Sequence, residues 1–384
     1  MTSPPNALRG MTWSHPRGYA PLQAAAKRDA VLRDEGECIQ PIDWAVQSLA
    51  GFESTSILEL AATFDLIVLD HPGLGAGLDA LQPLDALISA DELATWQQKY
   101  VGDSADSYFY RGHQWAVPID AATQVCAYRP DLIGIPPRTW SDVEKIAMTH
   151  QVALPTKAPH TLLTFLGICA AVQPRFVATD RHLVPTETAL VAYSLLSRLV
   201  RAMDDELVDK DPIELLDRMA IESIDCCPLA YGYVNYVNPP SGCHRISFAD
   251  APSWREGGTP GSVLGGTGLA ISRSTKSRVQ ALEQLLRISS DDLQLGLIPR
   301  AGGQPAATAA WDSPDVDRDW GFFYSRTRRS QMTAWRRPRH AGWIEMQHVG
   351  SVDLLDAVQK GMDPVTAIGR VNELYRKSLH SSNH

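Results

Sequence analysis

The stretch from Tyr110 to Ile133, reading YRGHQWAVPIDAATQVCAYRPDLI, constrains this chain most. It reads as a tight turn at Gly112, a short strand ending at Pro118, and a second strand running to Tyr128. Proline has no N–H to donate, so Pro118-Ile119-Asp120 cannot continue a central ladder. A strand that leaves one sheet, crosses at a proline and enters another is how a two-lobed protein builds a hinge. The residues just after such a crossing, Asp120, Thr123 and Gln124, are expected at the mouth of a cleft between the lobes.

A chain of 384 residues exceeds one typical core, so two domains are expected. The net charge of -9 argues against nucleic acid as a partner, because phosphate contacts need a basic face. The longest apolar run, Leu162 to Val172 broken by Thr164, is far short of the roughly 20 residues of a membrane span. No membrane insertion is expected. The first residues, MTSPPNALR, show neither a basic n-region with an apolar run nor a cysteine suited to lipid attachment. The expected location is therefore cytoplasmic, or periplasmic or extracellular if a leader has been removed. The six cysteines, at 38, 126, 169, 226, 227 and 243, form neither a disulfide framework nor a zinc pattern. They read as mostly buried small hydrophobes in a reducing compartment, with the Cys226-Cys227 adjacency a coincidence.

Along the chain, an opening strand at 7–13 is followed by a polar turn, SHPRG. A helix is expected from Pro21 to about Glu35, then a strand around Glu37 to Asp43 and a helix from Ser56 to Thr63. Phe64 to Asp70 has the continuous apolar centre of a buried parallel strand. That alternation marks an α/β lobe with an open sheet, in which ligands bind beyond the carboxyl ends of the strands. Ser14-His15-Pro16-Arg17 and Asp70-His71-Pro72 occupy two such exits. Further helices are expected at 139–150, 160–171, 187–203, 211–219, 275–288 and 291–297, with a last tract at about 351–378. Strands are expected at 224–231 and 245–248 and around the Gly265-Gly-Thr-Gly268 turn.

This order, with the landmarks PLAYGYVNY (228–236), SVLGGTGLAIS (262–272) and RAGGQP (300–305), resembles the family 1 extracellular solute-binding proteins, the maltose-binding-like receptors of ABC importers. The resemblance covers nearly the whole chain. It implies an α/β, type II periplasmic-binding fold with a hinge and an interlobe ligand cleft. One lobe would comprise 1–117 plus 250–310, the other 118–249 plus 311–384. It also implies carbohydrate transport: a small-molecule ligand, ABC permease subunits as partners, and no cofactor.

Candidate ligand-binding residues fall into two constellations. Trp13, Tyr231, Tyr233 and Tyr236 offer rings on which sugar faces could stack, the alternative being that they fill the core. With strand periodicity, Tyr231, Tyr233 and Asn235 share one face and Tyr236 points the other way. His15, Arg17, Asp70, His71 and Asp120 would hydrogen-bond hydroxyls or a carboxylate, with Arg17 able to pair bidentately; both histidines could equally be turn or cap devices. Gln124, Gly266 and Thr267 complete the set, and Arg300 and Gln304 flank a further Gly-Gly turn. Gly265 to Gly268 lacks the Gly-Lys-Ser/Thr of a nucleotide loop and reads as a bulged strand. No metal-ligand spacing or nucleophile elbow is present. The basic run from Arg326 to His340 reads as a solvated surface or a docking patch, with Trp335 tucked inward.

Two function classes follow from these residues. The first is a solute-binding protein closing on a small polar ligand, a sugar or an organic acid, as an importer receptor or a cytosolic derivative. The alternative is a cytosolic, cofactor-free isomerase, lyase or hydrolase on the same fold, with His15 and Asp120 as acid and base and Asp70 and His71 as further candidates. A sensor that docks a partner through the basic run is a third.

Overall fold

A computed structural model describes residues 7–221 and 224–381. The chain opens with β1 (Leu8–Trp13), α1 (Pro16–Asp34), β2 (Ile42–Gln47), α2 (Ile57–Thr63) and β3 (Leu66–Leu69). After short helical turns, a ten-residue helix (Ala90–Lys99) and a two-stranded ladder (Phe109–Tyr110 with His113–Gln114) comes β4 (Val117–Asp120). Next are β5 (Gln124–Tyr128), α3 (Trp140–Ile146), α4 (His160–Val172), α5 (Thr186–Ala202) and α6 (Pro212–Ile221). The chain continues through β6 (Cys226–Tyr231), β7 (Ser247–Ala249), β8 (Thr267–Ile271) and α7 (Arg278–Ile288), and ends in α8 (Phe323–Thr333), α9 (Trp343–Gln359) and α10 (Pro364–Leu379).

Two compact units divide the chain: Met1–Ala121 with Gly266–Val316, and Ala122–Gly265 with Asp317–His384. The crossing expected at 118 falls after Ala121, because β4 still pairs with β8 in the first unit. The return expected at 250 falls after Gly265. Residues up to that point are held within the second unit: Val263 N–H donates to the Gln124 side chain, and Leu264 N–H to the Trp335 carbonyl.

In the first unit a five-stranded sheet has the order β2-β1-β3-β8-β4. β1 runs parallel to β2 and β3, while β8 is antiparallel to β3 and β4. Every residue of β3 (LIVL) is buried, as its continuous apolar pattern requires of a strand covered on both faces. Pro118 sits in β4 at the sheet edge, where a missing N–H costs no ladder bond. Met11, Ile67, Leu74, Leu81, Tyr108 and Trp115 form part of one core cluster.

α1 begins five residues before the expected Pro21, because His15 caps it and Pro16 fits its first turn, leaving Pro21 inside the helix. β2 lies later than expected, since its register against β1 pairs Leu8 with Ile42 and Trp13 with Gln47.

The second unit holds a three-stranded antiparallel sheet, order β6-β5-β7. α4 (HTLLTFLGICAAV) is buried at every position from His160 to Ala171, as a helix apolar all round must be. It packs against α5 and α9. The closing tract is two helices rather than one, broken at Gly361 with φ of 64°. β6 stops at Tyr231, and Val234–Val237 forms a 3₁₀ turn, so alternation does not extend past Tyr231. Tyr233 and Tyr236, expected on opposite faces, stand edge to face with ring centroids 6.4 Å apart.

Candidate functional site

In the first unit, the turn between β1 and α1 brings four of the sequence candidates together. His15 is the α1 N-cap, its Nδ1 accepting the Arg17 N–H at 3.1 Å, which puts the ring proton on Nε2. The Arg17 guanidinium then reaches Asp120 at the end of β4. Nε donates to Oδ2 at 2.9 Å and Nη2 to Oδ1 at 2.8 Å, a bidentate pair with both groups buried.

Burial, reinforced by the Arg17 charge, lowers the His15 pKa to about 3, so the ring is neutral. Burial raises Asp120, and Arg17 offsets part of that rise. With both carboxylate oxygens engaged by one guanidinium, we take Asp120 to be ionised. A cavity of about 20 Å³, lined in part by Arg17, Asp120, Thr267 and Gln304, adjoins the pair and has room for one water.

Trp13, expected as a stacking platform, is buried instead. Its indole stacks on His15 (centroids 5.5 Å), tilts against Phe52 and lies 5.3 Å from the Arg17 guanidinium carbon. Gly18 makes room for it, since a Cβ there would lie 2.4 Å from the indole. Asp70 and His71 follow β3 as expected. His71 is fully buried, its Nδ1 3.1 Å from Asp70 Oδ1 and its ring edge-on to Tyr108.

Gly265, Gly266 and Gly268 are each explained by sterics rather than by a phosphate. A Cβ on Gly265 would lie 2.6 Å from the Tyr231 ring, and one on Gly268 2.7 Å from Tyr108. Gly266 has φ of 88°, a left-handed conformation that side chains disfavour. Thr267 pairs with Asp120 at the irregular start of the β8–β4 ladder. Replacing Gly266 with Val is therefore expected to cost about 1–3 kcal/mol through backbone strain. Urea unfolding checks this, and an unchanged midpoint would count against the local geometry.

In the second unit, Gln124 is buried beside Tyr231 on β6, and its Oε1 accepts the Val263 N–H at 3.1 Å. Thr123 Oγ1 hydrogen-bonds the Ser262 hydroxyl and donates to the Val263 carbonyl at 3.0 Å. Tyr231 is half-buried, Tyr233 buried, and Asn235 lies in the 3₁₀ turn.

Two further residues escaped the sequence reading. His160, at the first position of α4, places its ring 6.1 Å from that of Tyr231, edge to face. Burial, then the Arg337 and Lys157 charges, lower its pKa to about 3. Arg337 belongs to the run read as a solvated surface, yet is only 4% exposed. Trp335 is tucked inward as expected, stacked on Phe176 at 4.6 Å, while Arg326 and Arg329 are exposed. The signal that was available is the break from polar Lys157-Ala-Pro159 into an all-apolar helix, which buries whatever stands at its start. Of the weaker candidates, Gln304 is buried and donates to the Ala121 carbonyl at 3.1 Å, and Arg300 is exposed.

Among the described residues no group of three or more His, Cys, Asp or Glu side chains could hold a metal ion. No helix among them is long and apolar enough to cross a membrane.

No known family model matches the sequence. A stretch of 84 residues is 29% identical to the maltotriose-binding protein of Pyrococcus abyssi, a match that takes in 21% of this chain and only 18% of that protein. The structural likeness is far broader. Maltose-bound MalE3 of T. maritima superposes with a TM-score of 0.77 at 18% identity, covering 96% of this chain and 99% of that one. A solute-binding protein of Thermotoga lettingae bound to α-D-tagatose gives 0.78 at 15% identity over 97% and 100% of the two chains. One from Agrobacterium radiobacter in complex with ribitol gives 0.76 at 16% identity over 97% and 98%. The chain therefore has the two-lobed α/β fold of the maltose-binding-like solute-binding proteins of ABC transporters.

Proposed function

We propose that the chain is a solute-binding receptor for a sugar or sugar alcohol, delivering its ligand to the permease subunits of an ABC importer. The breadth of the fold likeness carries this reading. Structures that match 96% or more of the chain hold maltose, α-D-tagatose and ribitol. The receptor role carries with it a site of action outside the cytoplasmic membrane.

Tyr231 is the aromatic group best suited to a sugar face, being half-buried where Trp13 and Tyr233 are enclosed. A polyhydroxylated ligand fits this chain better than an organic acid. Arg17, the cation expected to take a carboxylate, already has one in Asp120. Of the remaining candidates, Asp70 and Asn235 are half-buried and stay proposed ligand contacts, whereas His71, Gln124 and Thr267 are enclosed.

The catalytic alternative needs a group poised to exchange protons near neutrality. His15 is held neutral down to about pH 3, and Asp120 is bound at both oxygens by Arg17.

Isothermal titration with maltose, maltotriose, tagatose, ribitol and mannitol tests the proposal. At least one is expected to give a saturable heat. Truncating a ring that packs on a sugar face loses apolar contact worth on the order of 1.5 kcal/mol, so Tyr231→Ala is expected to weaken that binding roughly tenfold. If no compound gives heat or shifts the unfolding midpoint, the sugar reading fails.

A further inference from the structure

Cys126 on β5 and Cys226 on β6 are 100 residues apart in sequence, and their sulfurs lie 3.8 Å apart with both residues completely buried. The strand register explains this approach. β5 advances two residues from Val125 to Ala127, while β6 advances three from Cys227 to Ala230. Pro228 and Leu229 thus stand opposite Cys126 in a bulge, and Pro228 has no N–H to lose there. Tyr128 pairs with Cys226. Side chains alternate along a strand, so Cys126, Tyr128 and Cys226 share one face. Cys227, the neighbour in sequence, points to the other face with Ala127.

We propose that Cys126 and Cys226 are a built disulfide site, closed when the chain folds in an oxidising compartment and open as two thiols in a reducing one. A disulfide needs the sulfurs at about 2 Å and its Cα atoms within roughly 7 Å, and Cys126 lies two residues along β5 from the partner of Cys226, so closure draws the strands together locally at the bulge. The oxidant is a small-molecule disulfide such as oxidised glutathione. One cysteine sulfur, as thiolate, attacks it, forming a mixed disulfide and releasing one glutathione thiol. The other cysteine sulfur then displaces the second glutathione. The two cysteines lose two protons and two electrons, and one glutathione disulfide becomes two thiols.

Timing follows from burial. The Cys126 contact and burial together push the Cys226 thiol well above the usual range, so the folded pair reacts slowly. The bond therefore forms during folding, as β5 meets β6. It staples the edge strand β6 to the central strand β5 of the second unit's sheet, at the far end of β6 from Tyr231.

The test is to refold the full-length chain from denaturant in a glutathione redox buffer, alkylate under denaturing conditions and map the peptides. The expected result is loss of two of the six alkylatable thiols, a linked pair of peptides carrying Cys126 and Cys226, and a monomeric product. Its unfolding midpoint should rise by several degrees and fall back on reduction. Cys227→Ala should retain the bond and Cys126→Ala abolish it. Six free thiols overturn the proposal, as does a bond to Cys227, Cys38 or Cys243, or capture as a glutathione adduct. If Cys126→Ala fails to fold, the wild-type peptide map decides alone. None of these readouts depends on the ligand.

Discussion

Asp120→Ala is expected to destabilise the first unit by about 3–5 kcal/mol, because it strands the buried Arg17 guanidinium without its carboxylate. The pair bridges 103 residues of sequence, tying the start of α1 to the edge strand β4 just before the chain leaves the unit. The measurement is urea unfolding of wild type, Asp120→Ala and the double replacement Arg17→Met/Asp120→Leu. The double variant removes both charges, so it should recover most of the loss. A single variant within about 0.5 kcal/mol of wild type, the range of ordinary surface changes, would show that the pair does not form as described.

The second large effect is on pH dependence. His15 and His160 are neutral in the folded chain, with pKa values of about 3, against 6.5 for a free histidine. Between those values the unfolded chain binds more protons than the folded one. Stability is therefore fully present above pH 6.5 and is lost as pH falls toward 3. Each group contributes about 1.4 kcal/mol per pH unit in that window, so the two together contribute roughly 3 kcal/mol per unit. The denaturation midpoint should drop steeply from about pH 6 to about pH 4.5. His15→Asn, which keeps an N-cap acceptor, and His160→Gln should each flatten the slope of the unit that carries it. A midpoint indifferent to pH across that range, or a slope unchanged by both substitutions, would contradict the burial of these rings.

Much of the fold could be read from local patterns. The unbroken apolar Leu66–Leu69 has one solution in an α/β unit, a strand covered on both faces. Pro118 excludes a central ladder, and the structure puts it at a sheet edge. The candidate site was less legible, because its geometry comes from distant pairings. Nothing near Arg17 announces that Asp120 will take both of its donors, and nothing near Trp13 announces that His15 and Phe52 will cover it. Period two failed after Tyr231, because a 3₁₀ turn replaces the strand and brings Tyr233 onto Tyr236. Arg337 looked exposed by composition, yet the stretch that carries it is drawn inward where Val263 bridges Trp335.

Proton NMR of the purified chain with a panel of sugars, sugar alcohols and small organic acids, followed over hours in D₂O, tests the receptor reading most directly. The expected result is broadening of the lines of one sugar or sugar alcohol, with its spectrum otherwise unchanged however long it stands. New product lines, or selective loss of a carbon-bound proton to deuterium, would instead make the chain a catalyst and contradict the receptor role.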